Sequence, residues 1–409
     1  MRIEWFVVKL LKNRMFDIIK NILKSVIYFF YGFWNLFKFL IFDLKKIKQA
    51  DIVCFFPYYH TGGAEKVHLN ILKALASKNV CVIFTLNSAT KNFQEQFKAN
   101  AQCIEINPIL NKRNSFVNSL LKKSIYKTIN TSSNCKAVFG CNSIYFYQIL
   151  PFISNQIARI DLFHNFFEND RREKDIINSS SLINQRVVIN DAAKQDILKF
   201  YEKNQVDFHY YDKVVIIENG IELDNDAYCQ KQDSVFKIGY IGRWCFEKRP
   251  LLFLEIAKKV KNKYPLVSFV MAGTGMRSNL DLILEAGVEF FGEITDKTIL
   301  NQLYNELNIV LLPSIYEGFP LVIMEAMSHG VITISTKLDG ISEHITNNEN
   351  GILINEFEDN RIVEEFCNSI FQLIENAKSR NELSYNSFLY AQTHFSIEQF
   401  NTNYRKLFS

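Results

Sequence analysis

Residues 309–330 read I-V-L-L-P-S-I-Y-E-G-F-P-L-V-I-M-E-A-M-S-H-G. Ile309 to Leu312 has the length and branching of a buried strand. Pro313 and Ser314 end it, and a loop carries Glu317 and Gly318. Pro320, with its fixed φ and missing N–H, predicts the first position of a helix. Glu325 falls on that helix, eight residues after Glu317. The N–H groups of Phe319, Leu321 and Val322 lie between the two carboxylates, where a helix start receives an anion. Two carboxylates suggest an acid and a base, but the gap argues for another use. Eight fully helical residues would span about 12 Å, which suits the two ends of one extended ligand. The alternative for Glu325, a solvated helix-surface residue, sits poorly with Val322, Ile323, Met324, Ala326 and Met327 around it. A buried Glu needs a polar partner.

Outward from this stretch the chain alternates strand and helix. Strands are expected at 51–56, 80–86, 103–106, 137–141, 158–163, 186–189 and 213–217. A second set is expected at 236–241, 267–272, 288–292, 309–312, 331–335 and 352–354. Such alternation implies α/β architecture, with parallel sheets and helices on both faces. A length of 409 residues suits two domains of ordinary size. The polar, aperiodic stretch from Glu222 to Ser234 predicts the hinge. The expected division is an arm at 1–48, a first domain at 49–222, a second at 223–394 and an amphipathic terminal helix at 395–409.

Ligands of open α/β sheets bind past the C-terminal ends of strands, and three further loops lie there. Gly62-Gly63 stand between the first strand and its helix, where glycines let a phosphate approach the backbone; an ordinary glycine turn is the alternative. His164-Asn165 follow the strand at 158–163, and a loop histidine without special role is the competing reading. Arg243 and Lys248 lie on the loop after the strand at 236–241. A guanidinium grips two phosphate oxygens and an ammonium is a movable point charge. Gly273-Thr274-Gly275 is a poor dinucleotide fingerprint, because Ser278 stands in place of the third glycine.

The net charge of +4 is unevenly placed. Residues 1–50 hold ten basic and three acidic side chains, so the rest of the chain is slightly acidic, which argues against a nucleic-acid partner. Eight cysteines occur without a C-x-x-C or zinc-type spacing, as expected of a reducing cytoplasm. No short apolar segment with a cleavage site marks a signal peptide.

With Gly318, Pro320, Leu321 and Glu325-Ala326-Met327, the opening stretch resembles the E-x7-E signature of the retaining, nucleotide-sugar-dependent glycosyltransferases of family 4 (glycosyl transferases group 1). H-T-G-G-A-E-K at 60–66, N-G-I at 219–221 and G-R-x4-K-R at 242–249 resemble the same family. The resemblance implies a GT-B fold, two Rossmann-like domains facing a cleft, whose terminal helix crosses back onto the first domain. It implies a nucleotide-sugar donor, with Glu317 on the transferred sugar, Glu325 on the ribose, Arg243 and Lys248 at the diphosphate and His164 lining the sugar pocket. Glu317, His164, Lys248 and Arg243 are the expected catalytic set. Gly62, Gly63, Gly318 and the N–H groups of Phe319, Leu321 and Val322 complete the donor site. Glu293 and Ile294 would meet the base through their backbone, so the base stays open. Relatives carry Gly-Gly-x-x-Glu where Asp339 to Glu343 stand here, on an expected loop. No Asp-x-Asp is placed to hold a metal, so no metal or other cofactor is expected. Two other readings stay open: a sugar-nucleotide epimerase of GT-B fold, and a non-catalytic glycan-binding partner subunit.

Residues 25–42 hold nine aromatics among eighteen residues, with lysines before and after. Three readings compete. An interfacial helix would lie on an anionic membrane. A span is borderline at this length, with Asn35 and Lys38 inside it. A helix packed on protein is the third. The first is preferred because aromatic belts favour interfaces. It places the enzyme peripherally on the inner face of the cytoplasmic membrane, beside a glycan or lipid-linked acceptor.

Overall fold

In the computed structural model of the protein, residues 31–110, 115–166, 172–223, 228–231 and 235–409 are described. The arm's first 30 residues and parts of the expected hinge lie outside them.

Seven strands form the first sheet: β1 Ile52–Phe56, β2 Val80–Phe84, β3 Gln102–Glu105, β4 Ala137–Cys141, β5 Ala158–Phe163, β6 Gln185–Val188 and β7 Val214–Ile216. Their order is β3-β2-β1-β4-β5-β6-β7, and every pairing is parallel. The second sheet holds β8 Lys237–Ile241, β9 Ser268–Ala272, β10 Glu289–Gly292, β11 Ile309–Leu312, β12 Ile332–Thr336 and β13 Ile352–Ile354. It runs β10-β9-β8-β11-β12-β13, again all parallel. All residues of β1, β2, β4 and β11 are buried. Helices cover both faces of a parallel sheet, so its central strands are apolar throughout. Each sheet reverses its winding once, between β1 and β4 and between β8 and β11. A crevice opens at such a switch point, past the strand ends.

The two domains are also joined behind the cleft. Ile221 N–H donates to Phe395 O at 2.9 Å, and Ile397 N–H donates to Ile221 O at 3.0 Å. A Cβ on Gly220 would lie 2.9 Å from Phe400 Cβ and from Ser396 O, so only glycine lets the two crossing segments touch. The terminal helix Ile397–Leu407 then lies on the first domain. Phe400 and Tyr404 are buried, and the Tyr404 and Phe408 rings meet Phe139 edge-on at 6.5 and 5.6 Å.

Residues 31–49 are helical, with a π-helical turn at Phe39–Asp43. Leu36, Phe39 and Ile47 are buried in one cluster with Val117, Leu121, Ile125 and Ile129 of helix Ser115–Thr131. The opposite face leaves Trp34 55%, Ile41 51% and Phe42 66% exposed. No described helix is long and apolar enough to cross a membrane.

Two local expectations are corrected. Pro320 has extended backbone, φ −76° and ψ 140°, and is the N-cap; the helix is Leu321–Ser328. The stretch Asp339–Ser342, expected as a loop, is a short helix.

Candidate active site

The site is assembled at the two switch points. Lys248 ends a 3₁₀ turn, Phe246–Lys248, on the loop leaving β8. Glu317 lies on the loop leaving β11. Their side chains form an ion pair across the crevice and are only 18% and 10% exposed. Ser314 Oγ donates to the same Glu317 oxygen at 2.7 Å. The carboxylate is therefore held from two sides, its remaining oxygen available to a ligand. Arg249 follows with φ 46°, which sends the chain into helix Pro250–Lys263 and leaves Lys248 aimed at the cleft. Arg243 is not drawn into the pair. It is half-exposed and bonds Glu247 at 3.3 Å.

Glu325 projects from the second turn of helix Leu321–Ser328. Tyr304 OH donates to its Oε2 at 3.0 Å, and its Oε1 pairs with Lys66. Lys66 belongs to the first domain, in the first turn of helix Gly63–Ala74. The polar partner that a Glu in apolar surroundings needs thus comes from across the cleft. Leu321 and Val322 supply the helix's first N–H groups, whose carbonyl partners a turn earlier do not exist. Phe319 precedes the cap and turns inward, its buried ring 4.3 Å from His344 and 5.3 Å from Phe395.

The two glycines of the first loop differ. A Cβ on Gly62 would lie 2.2 Å from Glu65 Oε2, whereas nothing lies within 4 Å of one on Gly63. Gly62 makes room for the buried Glu65 carboxyl, and Gly63 borders open space. Burial raises the Glu65 carboxyl's pKa above its usual value, with the charges of His60 and Arg243 opposing this. Glu293 lies just past β10 and meets Asn92 of the first domain at 2.6 Å. Ile294 packs on the central core.

His164 follows β5, half-buried. Its backbone carbonyl forms the seat for the Glu317 loop: a Cβ on Gly318 would lie 2.4 Å from His164 O and 2.7 Å from Ile189 Cδ1. Gly340 is equally tight, its Cβ position 2.2 Å from Gly318 O and 2.5 Å from Asn190 Nδ2. Beside it Glu343 reaches into the first domain. Its two oxygens accept from Asp191 N–H at 3.0 Å and Ala192 N–H at 2.7 Å, capping helix Asp191–Lys203. A cavity of 480 Å³ lies between that helix and Glu317, lined by Asn165, Phe166, Asn190, Lys199 and Tyr316 among others. Gly318→Ala is expected to wedge the domains apart at this seat. A displacement of order 1 Å at a reacting centre costs about 100-fold in rate. A kcat reduced by that factor, with the melting temperature nearly unchanged, would show it; an unaltered kcat would refute the seat.

The sequence expectations of Glu317, Lys248, Glu325, Gly63 and His164 fall around one cleft. Lys66, Glu343, Ser314 and Tyr304 were assigned no role. Lys66 and Glu343 carried a local signal, as the last residue of H-T-G-G-A-E-K and the glutamate of the stretch standing where relatives have Gly-Gly-x-x-Glu.

A family model described as glycosyl transferases group 1 matches residues 235–376. Among curated proteins, an uncharacterised glycosyltransferase of Methanocaldococcus jannaschii is 29% identical over 189 residues, 42% of this chain and 46% of that one. The UDP-Gal:alpha-D-GlcNAc-diphosphoundecaprenol alpha-1,3-galactosyltransferase of Escherichia coli is 23% identical over 284 residues, 63% and 68% of the two chains. The first alignment thus spans under half of the relative's length. Among solved structures, Anabaena Alr3699/HepE in complex with UDP-glucose superposes with a TM-score of 0.69 over 87% of this chain and 98% of that one, at 17% identity. At that identity the likeness is one of fold, the two-domain GT-B arrangement. The second domain thus matches the glycosyl transferases of group 1, and the chain as a whole has the GT-B architecture.

Proposed function

We propose that the protein is a retaining, metal-independent glycosyltransferase that moves a hexosyl unit from a nucleotide-sugar to a lipid-linked or membrane-proximal glycan. The observation that carries this reading is the Lys248–Glu317 pair spanning the second sheet's switch point. A departing nucleoside diphosphate gains negative charge as the sugar bond breaks. Lys248 and the N–H groups of Leu321 and Val322 offer fixed positive ends to that charge. Glu317 and His164 address the sugar, and Glu325 the ribose. As the ribose takes Glu325, Lys66 is released toward the phosphates. The seating of Gly318 on His164 O lets domain closure bring these groups together. The acceptor takes the cavity beside Glu317, where Lys199 and Lys203 line the wall and suit a phosphate-bearing acceptor. The Escherichia coli relative, whose name specifies a diphosphoundecaprenol-linked substrate, supports that class of acceptor.

The arm supports membrane proximity. Its inner face is consumed by helix Ser115–Thr131, so Trp34, Phe37, Ile41, Lys38, Lys45 and Lys48 are left outward. Phe116, Lys123 and Lys127 of the neighbouring helix are exposed too. Aromatic rings among lysines suit the headgroup region of an anionic bilayer.

Labelled UDP-, GDP- and ADP-sugars, incubated with the protein, membrane lipid extract and excess EDTA, test the reading. Transfer of label into lipid is the expected result, with UDP-sugars the first donors to try. An isomerised donor would indicate an epimerase, and binding without turnover a non-catalytic subunit. Activity lost in EDTA and restored by Mg²⁺ or Mn²⁺ would overturn the metal-free mechanism. Cosedimentation with phosphatidylglycerol vesicles, absent with neutral vesicles and weakened by Trp34→Ser with Ile41→Ser, is expected of the arm.

A further inference from the structure

Two imidazoles meet at the floor of the cleft, and only one has a role so far. His68 lies on helix Gly63–Ala74, fully buried, its ring stacked on Phe56 with centroids 4.1 Å apart and planes 7° apart. Its Nε2 lies 3.4 Å from Nε2 of His164. Its Nδ1 is buried without a hydrogen-bond partner. Burial lowers both rings' affinity for a second proton. His68 is held well below the usual range, with the His164 charge adding to the effect, and His164 is brought down to about 4, with Arg172 adding. Both rings are therefore neutral near pH 7.

A neutral imidazole has one N–H and one bare nitrogen. Two facing Nε2 atoms at hydrogen-bond distance need one proton between them. If His68 carried its proton on Nδ1, it would bury an N–H with no acceptor. Orphaned buried N–H groups are rarer than under-used acceptors, and each costs its desolvation energy. With the proton on Nε2, the donor is used and only a lone pair is left unmatched. His68 is then the donor and His164 the acceptor, which moves the His164 proton to Nδ1.

We propose that His68 is a positioning residue whose Nε2–H fixes His164 in its Nδ1–H tautomer, making His164 a hydrogen-bond donor toward an oxygen of the bound sugar. The role in sugar binding rests on the function proposed above; the tautomer does not. Cys141 lies close by, and its Sγ is within 4.8 Å of a nitrogen on each ring, a grouping that a metal ion could also use. The orphan nitrogen argues against that use. A metal on Nε2 of His68 would put the proton on Nδ1, and metal-bound histidines hand that proton to an acceptor, which His68 lacks.

Two-bond proton–nitrogen correlation spectra of the full-length protein, labelled with ¹⁵N-histidine, read the tautomers directly at neutral pH. The expected spectrum shows His68 protonated on Nε2 and His164 protonated on Nδ1, assigned by loss of signals in His68→Phe and His164→Ala. Wild-type His164 protonated on Nε2 would overturn the proposal. So would both rings showing Nδ1–H with a thiolate-to-metal absorption band when Co²⁺ is added. His68→Phe keeps a flat ring on Phe56 but removes the donor. It should lower kcat about three- to tenfold, the size of one neutral hydrogen bond, with the donor KM moving less. His68→Gln, which places an N–H near the former Nε2, should recover most of the loss; no difference between Phe and Gln would overturn the positioning role. Failure of every nucleotide-sugar as donor would remove the proposed function and leave the tautomer result standing.

Discussion

Replacing Lys248 with alanine is expected to lower kcat about 10²- to 10³-fold, the loss typical of one preorganised group aimed at developing charge. The geometry gives two reasons. Lys248 is held at the crevice of the second sheet, paired with Glu317, by a loop that the φ of 46° at Arg249 turns into position. Its removal also strands the Glu317 carboxylate, 10% exposed, with Ser314 Oγ as its remaining partner among the described residues. An uncompensated carboxylate beside an incoming diphosphate opposes binding, so the donor KM should rise as well. Lys248→Arg should recover little, since a planar guanidinium cannot occupy the place of a compact ammonium against Glu317. Donor-induced thermal shift separates the two effects. A variant that still binds donor yet turns over slowly places Lys248 at the transition state. A kcat within threefold of the wild type would remove it from the site.

What could be read from the chain follows from where the information is stored. Strand β11 was legible to the residue because four consecutive branched apolar side chains admit few alternatives when bounded by Pro313 and Ser314. The positions of Lys248 and Glu317 were legible for a related reason: both lie on loops that leave the C-terminal ends of strands, where α/β sheets place ligands. Pro320 was misplaced by one residue because a proline's φ serves both an N-cap with extended ψ and a first helical position. Asp339–Ser342 was read as a loop because four residues with a glycine carry no periodicity. Arg243, expected with Lys248 at the diphosphate, lies on the same loop and pairs with Glu247 there. The partners of Lys66, His68 and Glu343 were out of reach for a different reason. Each acts on a residue from 96 to 259 positions away in sequence, and nothing local to a lysine or histidine on a helix says which partner the fold will bring to it. Glu343 shows this most plainly, since its use is to cap a helix of the other domain.

The same limit applies to Asp161, on the expected strand at 158–163. Asp161 and Arg186 are adjacent on β5 and β6 and both are wholly buried. Arg186 donates through Nε to both Asp161 oxygens at 3.1 Å and through Nη2 to Oδ2 at 2.7 Å. Nη2 also reaches Ser179 Oγ at 2.7 Å, and Nη1 reaches Ile176 O at 3.2 Å and Tyr201 OH. All five of its N–H groups are thereby used. Tyr147 OH completes the carboxylate at 3.0 Å. Such a pair gains little over apolar packing, but breaking it leaves a charge without a partner. Asp161→Asn is therefore expected to destabilise the protein by about 3–5 kcal/mol. The double change Asp161→Leu with Arg186→Met should cost far less, because it removes both charges together. Urea denaturation of the two variants measures the difference, and equal midpoints would contradict it. The consequence reaches the active site, since β5 runs directly into His164 and β6 into Asn190. Asp161→Asn should therefore lose activity at temperatures well below its unfolding midpoint, as the strand ends carrying the cleft floor loosen before the whole domain does.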